Sequence, residues 1–386
     1  FITFIIYSSL ANSAFFSRLK EDFHEGHLGW IGDFRDFGLG YLTFASTLLA
    51  HVEGSLCRPV GAVVIGESST GKTELANSLM KLFPDDHVVS VTSMSTRSLI
   101  YRCIEDPTCL HGKVVFVEEL SGLRNEDLQY MLRILVTRGE VRHVSVVNNK
   151  AVEIHARGYI SLQTTGLPTD KLRDDTMNRL VTIKSDASPQ MTARVIDQIK
   201  SRYSSIKTKA WDAEDSAAWY KRFFTSLKPH RVLIPFAAEL PLSGVSPDSR
   251  RLAKIAMDLL CIVTLLNQEE RVFDHDRRAL IAEREDFEIL KEFMRDQIDR
   301  GRAAMTTREK VVLEALSRIP NPDSFTYDEL ARLRPGEDIG VKGGYSMTSI
   351  KYAMDGLVTK GYVTVKGKNG RTKMFTTART TAEPFS

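Results

Sequence analysis

Gly66, Glu67, Ser68, Ser69, Thr70, Gly71, Lys72 and Thr73 follow one another in an order that can wrap a polyphosphate. Glycines let successive backbone N–H groups curl around phosphate oxygens, Lys72 adds a point charge, and Thr73 offers a hydroxyl to Mg²⁺. Such a loop works only between a buried strand and a helix N-terminus, and both flanks are present. Ala62-Val63-Val64-Ile65 has the apolar character of a parallel strand, and the run from Glu74 to Met80 has helical spacing. The expected chemistry is nucleotide binding, with ATP and Mg²⁺ as the ligands.

Binding alone does not hydrolyse; that step needs carboxylates at the tip of a neighbouring strand. Lys113-Val114-Val115-Phe116-Val117 is a second apolar strand and ends in Glu118-Glu119. Glu118 is assigned to Mg²⁺ and Glu119 to the attacking water. Glutamate at the first position, where aspartate is usual, carries its carboxylate one methylene further out. A third strand, Tyr159-Ile160-Ser161-Leu162-Gln163, ends in Thr164-Thr165, and Thr165 either hydrogen-bonds the γ-phosphate or water or merely starts a turn.

The elements that must position these residues read as α/β. A fourth strand, Leu180-Val181-Thr182-Ile183, follows Asn178-Arg179, so strands alternate with helical stretches as in a parallel sheet. The expected division is a helical lead-in over 1–60, a nucleotide-binding core over 61–185, a helical lid or adaptor over 186–300 and a further domain over 306–378. An amphipathic helix at 128–135 is followed by alternation on both sides of Asn148-Asn149-Lys150, which predicts a hairpin with Lys150 at its tip and Arg142, His143 and Arg157 nearby. On residues alone it reads as an exposed hairpin with a solvated lysine.

With 42% hydrophobic and 26% charged residues the chain has an ordinary globular composition, and a formal charge of +3 is too small to argue nucleic-acid binding by itself. Cys57, Cys103, Cys109 and Cys261 show no CxxC pair and no histidine at ligand spacing, which fits a reduced, cytoplasmic protein without a disulfide framework or zinc site. The apolar opening Phe1 to Tyr7 is broken by Ser8 and Ser9 well short of a membrane span and reads as a buried element. The absence of an initiator Met suggests a chain cut from something longer, with an upstream domain missing.

The order of phosphate loop, acidic strand, helix, hairpin, polar strand tip and Met177-Asn178-Arg179-Leu180 resembles the AAA+ ATPases of the branch that carries a hairpin before sensor 1. Within it the closest likeness is to minichromosome maintenance (MCM) helicases and their relatives in phages and mobile elements, over about 61 to 270. The resemblance implies a P-loop AAA+ parallel sheet with a helical lid. It also implies an arginine beside the fourth strand, Arg179, that reaches the ATP of a neighbouring subunit, and a lid arginine matched by Arg250 or Arg251. Arginine suits both roles because its charge is permanent and its planar fork fits phosphate oxygens. An arginine acting in trans implies a homo-oligomer, a hexameric ring, with DNA in a channel lined by the hairpins and Lys150 as a moving phosphate contact. Three departures stand against the match: Glu118 itself, a sensor asparagine out of its usual place, and room for only a short insert between Ser90 and His111.

At the C-terminal end, three helical segments precede Tyr362-Val363-Thr364-Val365 and Thr372-Lys373-Met374-Phe375, which flank the basic turn Lys366-Gly367-Lys368-Asn369-Gly370-Arg371. This resembles a winged-helix domain. Lys351 on its third helix and Lys366, Lys368 and Arg371 in the wing are candidate DNA contacts, though many winged helices serve as protein contacts instead. The expected function is a ring-forming, ATP-dependent DNA helicase or translocase in replication of a phage or mobile element, with a primase or loader as partner and no membrane. The alternatives are a regulatory AAA+ ATPase with a DNA-binding module and a protein remodeller, and the remodeller would favour an aromatic residue at the hairpin tip.

Overall fold

The computed structural model describes residues 13–123, 125–147, 150–170, 174–204, 210–240, 242, 247–303, 307–316, 318–319, 324–337, 341–359, 363–369 and 372–377. Two compact units divide the chain, one of Phe1–Ala238 with Ile255–Met294, the other of Glu239–Lys254 with Arg295–Ser386.

The chain order opens with α1 (Ala14–His24), α2 (Phe34–Ala45), β1 (Gly61–Ile65), α3 (Lys72–Met80), β2 (Val88–Val91), α4 (Thr96–Glu105), β3 (Val114–Val117) and α5 (Glu126–Arg138). It continues with β4 (Glu140–Val147), β5 (Lys150–Arg157), β6 (Ser161–Gly166), α6 (Asp174–Met177), β7 (Leu180–Lys184), α7 (Pro189–Ser204), α8 (Ala210–Ser226) and β8 (Arg231–Leu233). Then come α9 (Pro247–Leu266), β9 (Phe273–Asp274), β10 (Ala279–Ile281) and α10 (Arg284–Ala303). Short polar side chains set the helix starts. Ser13 accepts from Phe16 N at 3.2 Å, Asp33 from Arg35 N at 2.9 Å and Asn125 from Leu128 N at 3.0 Å. Each satisfies an N–H that the helix leaves open, worth about 1 kcal/mol. α5 stops at Gly139, whose φ of 67° turns its N–H back to Ile134 O at 3.2 Å.

Five strands form one parallel sheet in the order β2-β3-β6-β1-β7. Such a sheet is covered on both faces, which is why β1 and β3 are apolar throughout, while β6 buries the polar Ser161, Gln163, Thr164 and Thr165. On one face Val63, Val115, Val117 and Leu162 pack with Leu99 of α4 and Leu128, Leu132 and Leu135 of α5. On the other, Ser161 Oγ donates to Val60 O at 2.8 Å and Gln163 Nε2 to Thr43 Oγ1 of α2 at 3.1 Å. Residues 161 and 163 thus face opposite to 162, the period of two that a strand imposes. Tyr41, Phe44, Phe83 and Tyr220 are fully buried, with Tyr41 and Phe83 at 5.0 Å between ring centroids, so α2 shares a core with residues after the phosphate loop.

Two details differ from the sequence reading. The edge strand β2 was not anticipated; its Val88-Val89-Ser90-Val91 is short and only half-buried. Thr164 and Thr165 lie inside β6 rather than beyond its tip, because β1 and β3 keep pairing alongside and both residues are buried.

β4 and β5 form a two-stranded ladder apart from the main sheet, in register from Glu140↔Arg157 to Val147↔Lys150. Buried Val141, Ile154 and Ala156 anchor its base in the core beside α5. Asn148 and Asn149 lie outside the described residues. β8, β10 and β9 make a small separate sheet.

The second unit contains α11 (Thr307–Leu316), α12 (Tyr327–Arg332), α13 (Met347–Thr359), β11 (Val363–Asn369) and β12 (Thr372–Thr377). Val312, Leu316, Leu330, Ile350, Met354, Leu357 and Val363 form its core with Phe325 and Phe375. Phe325 bridges to Phe375 by hydrogen bonds of 2.9 and 2.8 Å, which tie the hairpin to the start of α12. Among the described residues no helix is long and apolar enough to cross a membrane.

Candidate functional site

The five strands are parallel, so their C-terminal ends share one edge, and the phosphate loop leaves β1 at that edge. Gly66 N donates to Gly166 O of β6 at 3.2 Å, and Ser185 N, just past β7, donates to Ile65 O at 3.0 Å. A Cβ at Gly66 would lie 1.7 Å from Ser185 Oγ and 2.8 Å from Thr70 Oγ1. A larger residue there would have to turn the Ser185 and Thr70 hydroxyls out of their contact. Ser69 at φ 65° and Gly71 at φ 79° supply the left-handed turns that curl the loop before α3. Thr70 Oγ1 donates to Glu67 O at 2.8 Å and sits 2.6 Å from Ser185 Oγ, tying the loop to the end of β7.

Lys72 Nζ donates to Gly66 O at 3.0 Å and Glu67 O at 2.5 Å, so its charge is folded over the loop's own carbonyls. Lys72 and Thr73 open α3, whose unsatisfied N–H groups and positive dipole end meet the loop. Backbone donors, a cation and a hydroxyl around a cradle with no room for another Cβ fit a polyphosphate with Mg²⁺. Two residues that hold this loop escaped the sequence reading. Trp30 Nε1 donates to Gly71 O at 3.3 Å, and Ser185 meets Thr70. Neither stands near the loop in the chain, so no local spacing could have signalled them.

Glu118 follows β3 at the same edge. Its N–H donates to Val91 O at 3.0 Å, and its carbonyl accepts Thr165 Oγ1 at 2.5 Å. The Thr165 hydroxyl is therefore used to hold the acidic strand end beside β6. Glu119 is exposed, and its carboxylate accepts Ser121 Oγ at 2.9 Å. Only β6 separates the loop strand from the acidic strand, a gap of roughly 10 Å at about 4.8 Å per strand.

Arg179 sits at the other end of the sheet. Leu180 pairs with Gly61 and Lys184 with Ile65, so Arg179 is level with Val60, roughly 20 Å along the sheet from Gly66 at ~3.3 Å per residue. Arg250, exposed, and Arg251, half-buried, open α9 in the second unit. In the hairpin, Arg142 Nη2 lies 3.2 Å from Glu140 Oε1, which His155 Nε2 also contacts. The His155 hydrogen bond, then that from Arg142, holds the Glu140 carboxyl below its ordinary range. Of Lys150 and Lys368 the structure describes the backbone alone, paired with Val147 and Lys373. Lys351, on α13, is exposed with Nζ 5.7 Å from the Tyr327 ring; Lys366 is exposed on β11; Arg371 lies outside the described residues.

A cavity of about 420 Å³ is lined by Phe23, His24, Gly32, Phe34, Arg35 and Asp186 among others. Asp22, Glu25 and His27 form the metal-compatible group among the described residues, but Asp22 already accepts Tyr220 Oη at 2.9 Å and pairs with Arg18.

Residues 42–229, a little under half of the chain, match a family model described as the MTBMA_p00010 P-loop domain. No curated protein matches the chain. The matched segment spans the phosphate loop, the acidic strand and all five parallel strands, and with the geometry above it fits a P-loop NTPase domain that binds nucleotide.

Proposed function

We propose that the chain is an AAA+ ATPase that assembles with copies of itself and moves along DNA as a helicase or translocase of a replicating phage or mobile element. The observation that carries the reading is the β4–β5 hairpin, inserted between α5 and β6 and, among the described residues, forming a sheet separate from the main one. It is rooted in the core that also backs the acidic strand, so a shift at Glu118 and Glu119 has a packed route to the hairpin. Lys72 and Thr73 hold the triphosphate and Mg²⁺, Glu118 orders the metal, and Glu119 takes the proton of the attacking water. Thr165 positions Glu118 through its carbonyl. Arg179 is too far from its own loop to serve it, which supports action on the nucleotide of a neighbouring subunit. Arg250 and Arg251 are the lid candidates. The second unit's three helices and hairpin support a winged helix, with Lys351, Lys366, Lys368 and Arg371 as its DNA contacts.

One observation favours a second reading, a regulatory ATPase whose hairpin touches protein. Arg142 is neutralised by Glu140, and Val144 on the same strand is 68% exposed. ATP hydrolysis with and without single-stranded DNA separates the two. The DNA motor requires stimulation that Lys150→Ala abolishes while basal hydrolysis survives, and Glu119→Gln should remove hydrolysis while leaving nucleotide binding intact. Hydrolysis indifferent to DNA would move the assignment to the regulator.

A further inference from the structure

Cys57 and Cys261 stand 204 residues apart in the chain, yet their Sγ atoms lie 3.3 Å from one another. Cys57 belongs to the run that enters β1, and Cys261 to the buried middle of α9 within the same unit. The contact is reinforced one residue on, where Arg58 N donates to Asp258 Oδ1 at 3.3 Å, one turn earlier on α9. Backbone and side chain thus hold the two thiols together from both directions. A disulfide requires about 2.05 Å between sulfurs, so an approach of about 1.2 Å closes the bond. The two sulfurs also differ in access: Cys57 is half-exposed, while Cys261 is 2% exposed.

We propose that Cys57 and Cys261 are a modification site, forming a reversible disulfide that fastens the entrance of the phosphate-loop strand to α9. The oxidant is a low-molecular-weight disulfide such as oxidised glutathione. The Cys57 thiolate attacks one of its sulfurs, which breaks that S–S bond and releases one glutathione thiolate. Cys261 gives its proton to solvent, attacks the Cys57 sulfur and expels the second glutathione thiolate. Two protein thiols are oxidised by two electrons, and one small disulfide is reduced to two thiols. A link across so long a loop restricts the unfolded chain strongly, so the oxidised form should be the more heat-stable. The site is independent of the proposed motor and stands whether or not the chain hydrolyses ATP.

Cys103 and Cys109 provide an internal contrast. They also hydrogen-bond; burial, then the Cys109 charge, pushes the Cys103 thiol up to about 12, and the loop between them is short. Incubation of the full chain with oxidised glutathione, alkylation of remaining thiols and mass spectrometry of unreduced peptides tests the site. The expected result is a peptide pair joining Cys57 to Cys261, released by dithiothreitol. A rise of several degrees in the thermal midpoint should accompany it and be absent in Cys57→Ser, a variant at a half-exposed position chosen so that the fold survives. Full alkylation of both cysteines after oxidation, glutathione retained on Cys57, or a link confined to Cys103 and Cys109 would each overturn the proposal.

Discussion

At Gly66 one added methyl group would collide with Ser185, so a single residue type both admits phosphate and lets β7 close against the loop. Lys72 shows the complementary economy. Its ammonium is satisfied by loop carbonyls before any ligand arrives, so nucleotide binding exchanges partners for a charge already in place. Away from the site, His87 is the residue with the clearest consequence for pH. Thr47 spends its hydroxyl proton on Phe44 O at 2.9 Å and so accepts from His87 Nε2 at 2.7 Å, which puts a proton on that nitrogen. Burial, then the His51 charge, pushes the His87 pKa down to about 4. The unfolded chain, with an ordinary histidine, binds more protons between about pH 4 and 6.5, so stability rises with pH across that window. His87 contributes fully above about 6.5 and loses its contribution as pH falls toward 4, a change on the order of 3 kcal/mol. Burial lowers His51 and His111 as well, adding to the same slope. Thermal melts from pH 4 to 7 should show this, and His87→Phe, which keeps a ring against Phe83 and Phe224, should flatten it; an unchanged slope would remove His87 from the account.

Among the elements, β1 carries the heaviest constraint because it is the strand between β6 and β7 that launches the loop. Its first residue shows how tight the sheet is. A Cβ at Gly61 would stand 2.5 Å from the Leu162 carbonyl oxygen and 2.6 Å from Leu180 Cδ2. The carbonyl belongs to the backbone and cannot rotate aside, so Gly61→Ala should push β6 from β1 and destabilise the first unit by roughly 1–3 kcal/mol or more. Urea unfolding should show a lower midpoint, and a midpoint equal to wild type would mean that the strands have slack. The hairpin follows a different rule. Its base is held by Val141, Ile154 and Ala156, and its two strands pair with each other from Glu140↔Arg157 to Val147↔Lys150.

For the whole molecule, the decisive fact is the distance between Arg179 and the loop of the same chain. Six residue positions along a parallel strand exceed the reach of an arginine side chain, and no rotamer changes that. If Arg179 serves a neighbour, then Arg179→Ala and Glu119→Gln should each abolish hydrolysis alone, yet a mixture of the two should regain part of it. The recovery arises where an intact Arg179 meets an intact Glu119 across a subunit boundary. A mixture as inactive as its components, with both variants still binding nucleotide, would confine Arg179 to a local role.

The order of residues by itself determined the phosphate loop, the apolar strand and helix that flank it, the acidic strand end and the alternation that makes the hairpin, because each depends on backbone preferences and periodicities within a few neighbours. Tertiary structure decided what those signals leave open. Whether β3 or β6 lies beside β1 depends on strand order, and that order sets the gap between Lys72 and Glu118. The half-buried β2 had too little apolar contrast to be read. Trp30 on Gly71, Ser185 on Thr70, Thr165 on Glu118 and Cys57 on Cys261 are all contacts between distant segments. They exist only because parallel strands and the helices packed on them bring those segments to the same place, and local sequence carries no record of that closure.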